Sequence, residues 1–211
     1  TLTDYIIHSL DSIVTSFYYK YNVEIGRRWA GMSRRYCCAV FGHFPMRFAW
    51  GFDEEDSGCK RLKFELLQQV MSLRICGISR FMVVCDPGVG LWAAEMANHL
   101  KENDAGLELL CVLPHEEQAT KWAPYLRERY FEVLKKCTHM TATSVHKTPS
   151  AQFRALRVIV DHSDIVLAVY DPDSARGDAT DKAMAYACMK QRDIITIHPD
   201  TFRVTMNITG K

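Results

Sequence analysis

Residues 81–95 read Phe-Met-Val-Val-Cys-Asp-Pro-Gly-Val-Gly-Leu-Trp-Ala-Ala-Glu, and this stretch decides the fold. Residues 81–85 form an apolar run of strand length, which the Asp86-Pro87-Gly88 turn ends. Residues 91–101 are rich in Ala, Met and Glu and predict a helix. A continuously apolar strand that leads through a glycine turn into a helix is typical of a parallel sheet covered on both faces. We expect a ligand at this turn, between Val83 and Glu95, because backbone N–H groups at a helix N-terminus favour anions.

The same alternation of strand and helix signals continues on both sides of this stretch. Strands are predicted at residues 36–41, 81–85, 107–113, 140–145, 164–170 and 193–198. Helices are predicted at residues 58–76, 91–101, 116–136 (broken at Pro124), 152–162 and 181–191. This order predicts an α/β, Rossmann-like three-layer domain over residues 32–211, with a mainly parallel sheet flanked by helices. Residues 1–31 carry apolar side chains at helical spacing and are predicted to form a helical N-terminal extension of unknown role.

Composition narrows the class of protein. The 211 residues have a formal net charge of +1, which gives no general electrostatic attraction to nucleic acid or to an anionic membrane. No apolar stretch reaches the length of about 20 residues that a membrane span requires. The eight cysteines include no Cys-x-x-Cys pair, so we expect free thiols in a reducing, cytoplasmic compartment. No metal-ligand spacing is present, and the sequence predicts neither a metal nor a cofactor.

Four loops follow predicted strands and should meet at the carboxyl edge of the sheet, where ligands bind in open α/β folds. They span residues 42–47, 86–95, 114–118 and 171–180. The candidate ligand-binding residues in and beside these loops are Gly42, His43, Arg47, Asp86, Gly88, Gly90, Trp92, Gln118, Trp122, Asp171, Gly177 and Thr180. If the protein is an enzyme, Glu95 is the candidate catalytic carboxylate.

Several of these residues have two interpretations. A carboxylate about 4 Å from a phosphate costs up to roughly 4 kcal/mol near a protein surface. Asp86 must therefore point away, hold a ribose hydroxyl, meet a cation or exclude phosphate, unless it only caps the helix or holds the turn. The Thr180 hydroxyl can cap the next helix or donate to a phosphate. Trp122 can stack on a base or pack against the sheet, and His43 can contact phosphate or be an ordinary loop residue.

The ordered motifs from Ala39 to Pro199 resemble the SLOG superfamily, which joins the DNA-processing protein DprA with the LOG phosphoribohydrolases. The resemblance is to its YpsA-like branch of bacterial and phage proteins. The motifs that carry it are Gly42-His43-x-Pro45, Gly88-Val89, Trp92-Ala93-Ala94-Glu95, Pro114 with Gln118 and Trp122, Val160-Asp161-x-Ser163-Asp164, Ala168-Val169-Tyr170-Asp171, and Thr180 with Tyr186-Ala187. The resemblance implies a Rossmann-like fold and a pocket for a nucleotide or nucleotide-derived ligand.

The sequence also departs from this family. The family usually has Gly in place of Val84, a small residue in place of Asp86 and Asp in place of Gly90. Its Gly-Gly-Thr loop reads Asp178-Ala179-Thr180, and its Arg-Asn pair reads Ala155-Leu156. The LOG motif Pro-Gly-Gly-x-Gly-Thr-x-x-Glu is absent. Two of these departures add acidic charge where phosphate would sit, and together the departures argue against a bound ligand and, more strongly, against catalysis.

Three functions fit the sequence. The first is binding or sensing of a nucleotide or nucleotide-derived small molecule at the carboxyl ends of the strands. The second is an N-glycosidic phosphoribohydrolase of LOG type that uses Glu95. The third is a degenerate domain that acts through protein partners, with its pocket closed or filled by side chains such as Asp86 and Asp178. A homo-oligomer is also compatible with the sequence. Nucleic acid and membranes are disfavoured as partners.

Overall fold

The computed structural model describes residues 36–174 and 176–209 of the chain. In these residues the strands are β1 (Tyr36–Gly42), β2 (Ile78–Val83), β3 (Glu108–Leu113), β4 (His139–Ala142), β5 (Ile165–Val169), β6 (Asp193–Ile197) and β7 (Val204–Asn207). The helices are α1 (Ser57–Ile75), α2 (Val89–Lys101), α3 (Pro124–Lys136), α4 (Ala151–Asp161) and α5 (Ala179–Met189), with short 3-10 helices at Pro45–Arg47 and Pro172–Ser174. The predicted helix over residues 1–31 lies outside the described residues.

The strands form one sheet with the order β4-β3-β2-β1-β5-β6-β7. All neighbouring strands are parallel except β6 and β7, which are antiparallel. The predicted α/β, Rossmann-like three-layer fold is therefore confirmed. β7 is an addition that the sequence pattern did not predict.

Two buried clusters lie on opposite faces of the sheet. Alternate residues of β1 point to each: Cys38 and Val40 join the cluster under α1, α2 and α3, whereas Cys37 and Ala39 join the cluster under α4 and α5. This alternation follows from the two-residue repeat of a strand. All eight cysteines lie within the described residues and are free thiols. None of the described helices combines the length and apolar character needed to cross a bilayer.

One predicted helix is wrong in its first third. Residues 116–123 form turns, and α3 begins at Pro124, where a break in the helix was predicted. Proline suits the first turn of a helix because its missing N–H has no intrahelical acceptor there. Gln118 and Trp122 therefore lie in the turns before α3. The predicted fourth strand is also shorter, at His139–Ala142.

The order of the strands fixes where the candidate loops meet. From β1 the chain passes through α1 to β2 on one side, and from β5 it passes through α5 to β6 on the other. Because α1 and α5 cover opposite faces, the chain diverges at the carboxyl ends of β1 and β5. This divergence is the topological switch point, where open α/β sheets form their binding crevice.

Candidate functional site

A pocket of about 320 Å³ lies at this switch point, and we call it the β1–β5 pocket. Its walls are formed by Phe41, Gly42, His43, Phe44, Val84, Asp86, Pro87, Val89, Gly90, Lys147, Gln152, Leu156, Asp178, Ala179 and Thr180. Five of the predicted ligand residues are among them, namely Gly42, His43, Asp86, Gly90 and Thr180. The volume falls at the lower end of the range of roughly 300–1,000 Å³ that small-molecule sites occupy.

Two glycines bring α2 close to the sheet. A Cβ on Gly90 would lie 2.0 Å from the carbonyl oxygen of Val84, so no larger residue fits between α2 and the end of β2. Gly88, the N-cap of α2, has φ of +87°, and a Cβ there would lie 2.8 Å from Cγ of Pro45. These glycines therefore allow the close packing by which the N-terminus of α2 faces the pocket. Gly88 itself does not line the pocket.

Asp86 lies at the pocket wall with its carboxylate held by two amides. Nε2 of Gln118 donates to Oδ1 at 2.8 Å, and Nε2 of Gln152 donates to Oδ2. Burial raises the pKa of Asp86 to about 7, although both hydrogen bonds favour the ionised form. The helix-cap interpretation is wrong, because no side chain caps α2. Gln118 is not a wall residue, and its contribution to the site passes through Asp86.

His43 is buried, with 2% of its surface exposed, and its tautomer is set by the backbone. The N–H of Asp171 donates to Nε2 at 3.0 Å, so the neutral ring carries its proton on Nδ1. Burial lowers the pKa of His43, and the nearby Arg47 guanidinium lowers it further. No partner for Nδ1 is found among the described residues. His43 is therefore a neutral N–H donor at the pocket wall.

An ion pair neutralises the second acidic residue of the pocket. Nη1 of Arg47 lies 2.7 Å from Oδ2 of Asp178 and 3.9 Å from Oδ2 of Asp181. Asp178 is also the N-cap of α5 and forms a capping box with Asp181. The predicted capping by Thr180 is wrong, since the Thr180 hydroxyl donates to the carbonyl of Gly42 at 3.1 Å. That bond uses the proton that a phosphate would need.

Side-chain ligand atoms of His43, Asp178 and Asp181 all lie within 4.8 Å of one another, a spacing that a metal ion could use. Two features oppose ligation as the site stands. The Arg47 guanidinium already occupies the space beside both carboxylates. The Nδ1 atom of His43 bears a proton, and metal binding at Nδ1 would set an Nε2–H against the Asp171 N–H. The arrangement suits hydrogen bonding better than metal coordination.

Glu95 does not lie at the pocket. It points from the outer side of α2, where Nε and Nη2 of Arg129 donate to its two oxygens at 2.7 and 2.8 Å. Arg129 also donates to Glu54 at 2.7 Å, and Nε1 of Trp92 donates to the same Glu54 oxygen at 2.9 Å. Six residues beyond Val89, a helical side chain has turned well away from the face that Val89 presents. The prediction that Glu95 lies at the ligand site as a catalytic carboxylate is therefore wrong, because Glu95 pairs with Arg129 away from the pocket.

Other predicted ligand residues have structural places outside the pocket wall. Trp92 is buried and stacks on Phe48, with ring centroids 6.3 Å apart. Trp122 packs edge-on against Tyr130 at 5.2 Å beside the core, so it is a packing residue, although this ring partner lies on α3 and not on the predicted sheet. Asp171 orients His43, and Gly177 lies in the exposed turn before α5 with φ of +71°. Arg47 does not line the pocket, but it pairs with Asp178 and lowers the pKa of His43, and both of these residues do line it.

Two polar residues of the pocket, Lys147 and Gln152, were not predicted from the sequence. Lys147 follows β4 and Gln152 lies in the first turn of α4, and this segment was not among the candidate loops. One available signal was position, since this segment also follows a strand and reaches the same edge of the sheet.

The fold and the pocket define this chain as a Rossmann-like α/β domain with a crevice at its switch point. Residues 38–202 match the model of the YspA SLOG family, so the chain belongs to that family. The resemblance seen in the motifs is thereby confirmed, both for the SLOG superfamily and for its YpsA-like branch.

Relatives in bacteria agree with this assignment. The YpsA protein of Bacillus subtilis, a UPF0398 protein, is 25% identical over 175 residues, which cover 80% of this chain and 95% of the relative. The UPF0398 protein of Bacillus licheniformis is 28% identical over 173 residues, 80% of this chain and 93% of the relative. That of Halalkalibacterium halodurans is 29% identical over 126 residues, 58% of this chain and only 66% of the relative.

Among solved structures, the chain resembles DNA processing protein A (DprA) from Streptococcus pneumoniae. The TM-score is 0.51 at 11% sequence identity, and the match covers 78% of this chain and 50% of DprA. At this identity the likeness shows the shared fold alone.

Proposed function

We propose that this protein binds a phosphorylated nucleotide or nucleotide-derived small molecule in the β1–β5 pocket. The observation that carries the proposal is the convergence of three helix N-termini on one pocket. Val89 and Gly90 of α2, Gln152 of α4, and Ala179 and Thr180 of α5 all line it. The first N–H groups of each helix have no intrahelical acceptor, and the helix dipoles add positive potential.

The charges around the pocket are compatible with an anion. Lys147 adds a positive side chain to the wall, and the charge of Asp178 is balanced by Arg47. Asp86 is the acidic wall residue without such a partner, so an anionic group belongs away from it, near Lys147 and the N-terminus of α5. His43 offers a buried N–H donor in the same wall.

A thermal-shift screen tests the proposal, with ribonucleoside monophosphates, cyclic dinucleotides and ADP-ribose as the probes. Binding raises the free energy of unfolding by about 2.7 kcal/mol when the ligand is at 100 times its Kd. We expect at least one probe to raise the Tm at about 1 mM. If no probe raises it at that concentration, the proposal is wrong.

A matched pair of variants locates the anion. Lys147→Met removes the pocket cation, whereas Lys121→Met removes an exposed lysine that does not line the pocket. We expect Lys147→Met to weaken binding about threefold to tenfold and to reduce its salt dependence. Equal affinities of the two variants would contradict the placement of the anion beside Lys147.

A further inference from the structure

The carboxylate of Asp86 is fixed in orientation and has hydrogen-bond acceptor capacity that the residues of the pocket leave free. Gln118 and Gln152 approach its two oxygens, and Gln118 is itself fixed by a second bond from Nε2 to the carbonyl of Cys85 at 3.2 Å. The carboxylate plane is therefore held from both sides while the group remains at the pocket wall. Within the described part of the chain, no lysine, arginine or histidine forms an ion pair with it.

The chemistry of the carboxylate defines what can meet it. An ionised carboxylate has about four lone-pair directions on its two oxygens, and the two amides occupy one on each. One acceptor direction is left on each oxygen, so the group can take two adjacent hydrogen-bond donors at once. A phosphate is excluded by like charge, and an apolar group would leave a buried charge without compensation.

The position of Asp86 in the sheet further restricts which ligand group could donate hydrogen bonds to it. It follows the carboxyl end of β2, the strand next to β1 on the pocket side of the switch point. In Rossmann folds, an acidic side chain beyond the first phosphate-binding turn characteristically accepts hydrogen bonds from ribose hydroxyls. Placing the phosphate near Lys147 and α5 leaves the Asp86 side for the uncharged sugar.

We propose that Asp86, oriented by Gln118 and Gln152, receives the vicinal 2′- and 3′-hydroxyls of a ribose and so selects ribonucleotides over 2′-deoxyribonucleotides. This inference rests on the proposed nucleotide-binding function. Asp86 is the specificity-determining residue, and the two glutamines are positioning residues that fix its plane.

Calorimetric titration at about pH 8 tests the inference, with AMP, GMP, CMP and UMP and their 2′-deoxy counterparts as probes. A hydrogen bond to a charged group is worth about tenfold or more in affinity, so the best ribonucleotide should bind at least about tenfold more tightly than its 2′-deoxy form. Equal affinity for the two sugars in the unmodified protein overturns the inference but leaves the proposed function standing. If none of these nucleotides binds, the inference is overturned, whereas the proposed function falls only if the cyclic dinucleotides and ADP-ribose also fail to bind.

Two variants test whether Asp86 is responsible for the discrimination between ribonucleotides and 2′-deoxyribonucleotides. In Asp86→Asn the ratio between the two sugars should fall to about one or two, because an amide offers a single acceptor oxygen. In Asp173→Asn, which removes a carboxylate from an exposed position outside the pocket wall, the ratio should stay unchanged. A ratio that survives in Asp86→Asn overturns the inference. The comparison in the unmodified protein needs no variant, so it decides the matter even if Asp86→Asn does not fold.

Discussion

Replacing Asp86 with Asn should change stability in a way that depends on pH. Burial raises the pKa of Asp86 to about 7 from its ordinary value of 3.8. Between these values the folded protein keeps a proton that the unfolded chain has lost, so stability from this group is present at low pH. It decreases as the pH rises towards 7, by about 1.4 kcal/mol for each pH unit. From about pH 5 to about pH 8 the loss is about 3 kcal/mol, since the folded group is fully ionised above its pKa.

Asp86→Asn removes this titration. At about pH 5 the variant should be less stable by about 1 kcal/mol, because one glutamine amide loses its acceptor. At about pH 8 the variant should be more stable than the unmodified protein by about 2 kcal/mol, since no charge is buried. Urea denaturation at both pH values measures the difference, with Asp173→Asn as the control that should show none. A difference in unfolding free energy between Asp86→Asn and the parent that stays constant from pH 5 to pH 8 would refute the reasoning.

Three further predictions concern the framework around the pocket. Gly90→Ala would place a Cβ 2.0 Å from the Val84 carbonyl oxygen. The variant should therefore lower the free energy of unfolding by about 3 kcal/mol in urea denaturation. A loss below about 1 kcal/mol would contradict this packing. Glu95→Gln should lower the free energy of unfolding by about 1–2 kcal/mol, because it weakens the pair with Arg129. It should leave the nucleotide affinity measured by calorimetry unchanged. An affinity loss of about fivefold would indicate instead that Glu95 takes part in ligand binding. Burial opposes ionisation of Glu54, but hydrogen bonds from Arg129, Trp92 and Lys63 lower its pKa to about 2 from 4.5, so its stabilisation is present above about pH 4.5 and is lost as the pH falls towards 2. Glu54→Gln should therefore lose up to about 3 kcal/mol less than the parent in acid denaturation over that range, and parallel acid profiles would contradict the prediction.

Most of the fold could be predicted because buried parallel strands appear in the sequence as continuous apolar runs. β1, β2, β3, β5 and β6 each contain continuous apolar residues, and a helix lies between successive members of this set. β7 could not be predicted in the same way. Its residues, Val204 to Asn207, alternate between partly buried and exposed at the edge of the sheet, and four such residues resemble a loop.

The site was predictable only as a set of loops. The carboxyl-edge rule brings Gly42, His43, Asp86 and Thr180 together, because the loops that follow parallel strands all lie at the same edge of the sheet. It says nothing about which way a helical side chain points, so Glu95 was placed at the ligand when its partner is Arg129. That contact joins residues 34 positions apart, and sequence spacing carries no signal for it.

The polar network of Asp86 illustrates the same limit. The sequence shows an acidic residue in a glycine turn and leaves its role open between a cap, a repulsive charge and a sugar contact. Gln152, 66 positions away, and Gln118, 32 positions away, decide how the carboxylate is held. Only the folded chain shows that both amides reach one carboxylate at the wall of the pocket.

An NMR titration tests the central claim most directly. Amide resonances of the protein labelled with ¹⁵N are followed as the nucleotide probe with the largest thermal shift is added to about 5 mM. The account predicts saturable shifts concentrated at Gly42, His43, Val89, Gly90 and Thr180, which surround the β1–β5 pocket. Shifts that are absent, that do not saturate, or that cluster around Glu95 and Arg129 on the outer side of α2 would contradict it.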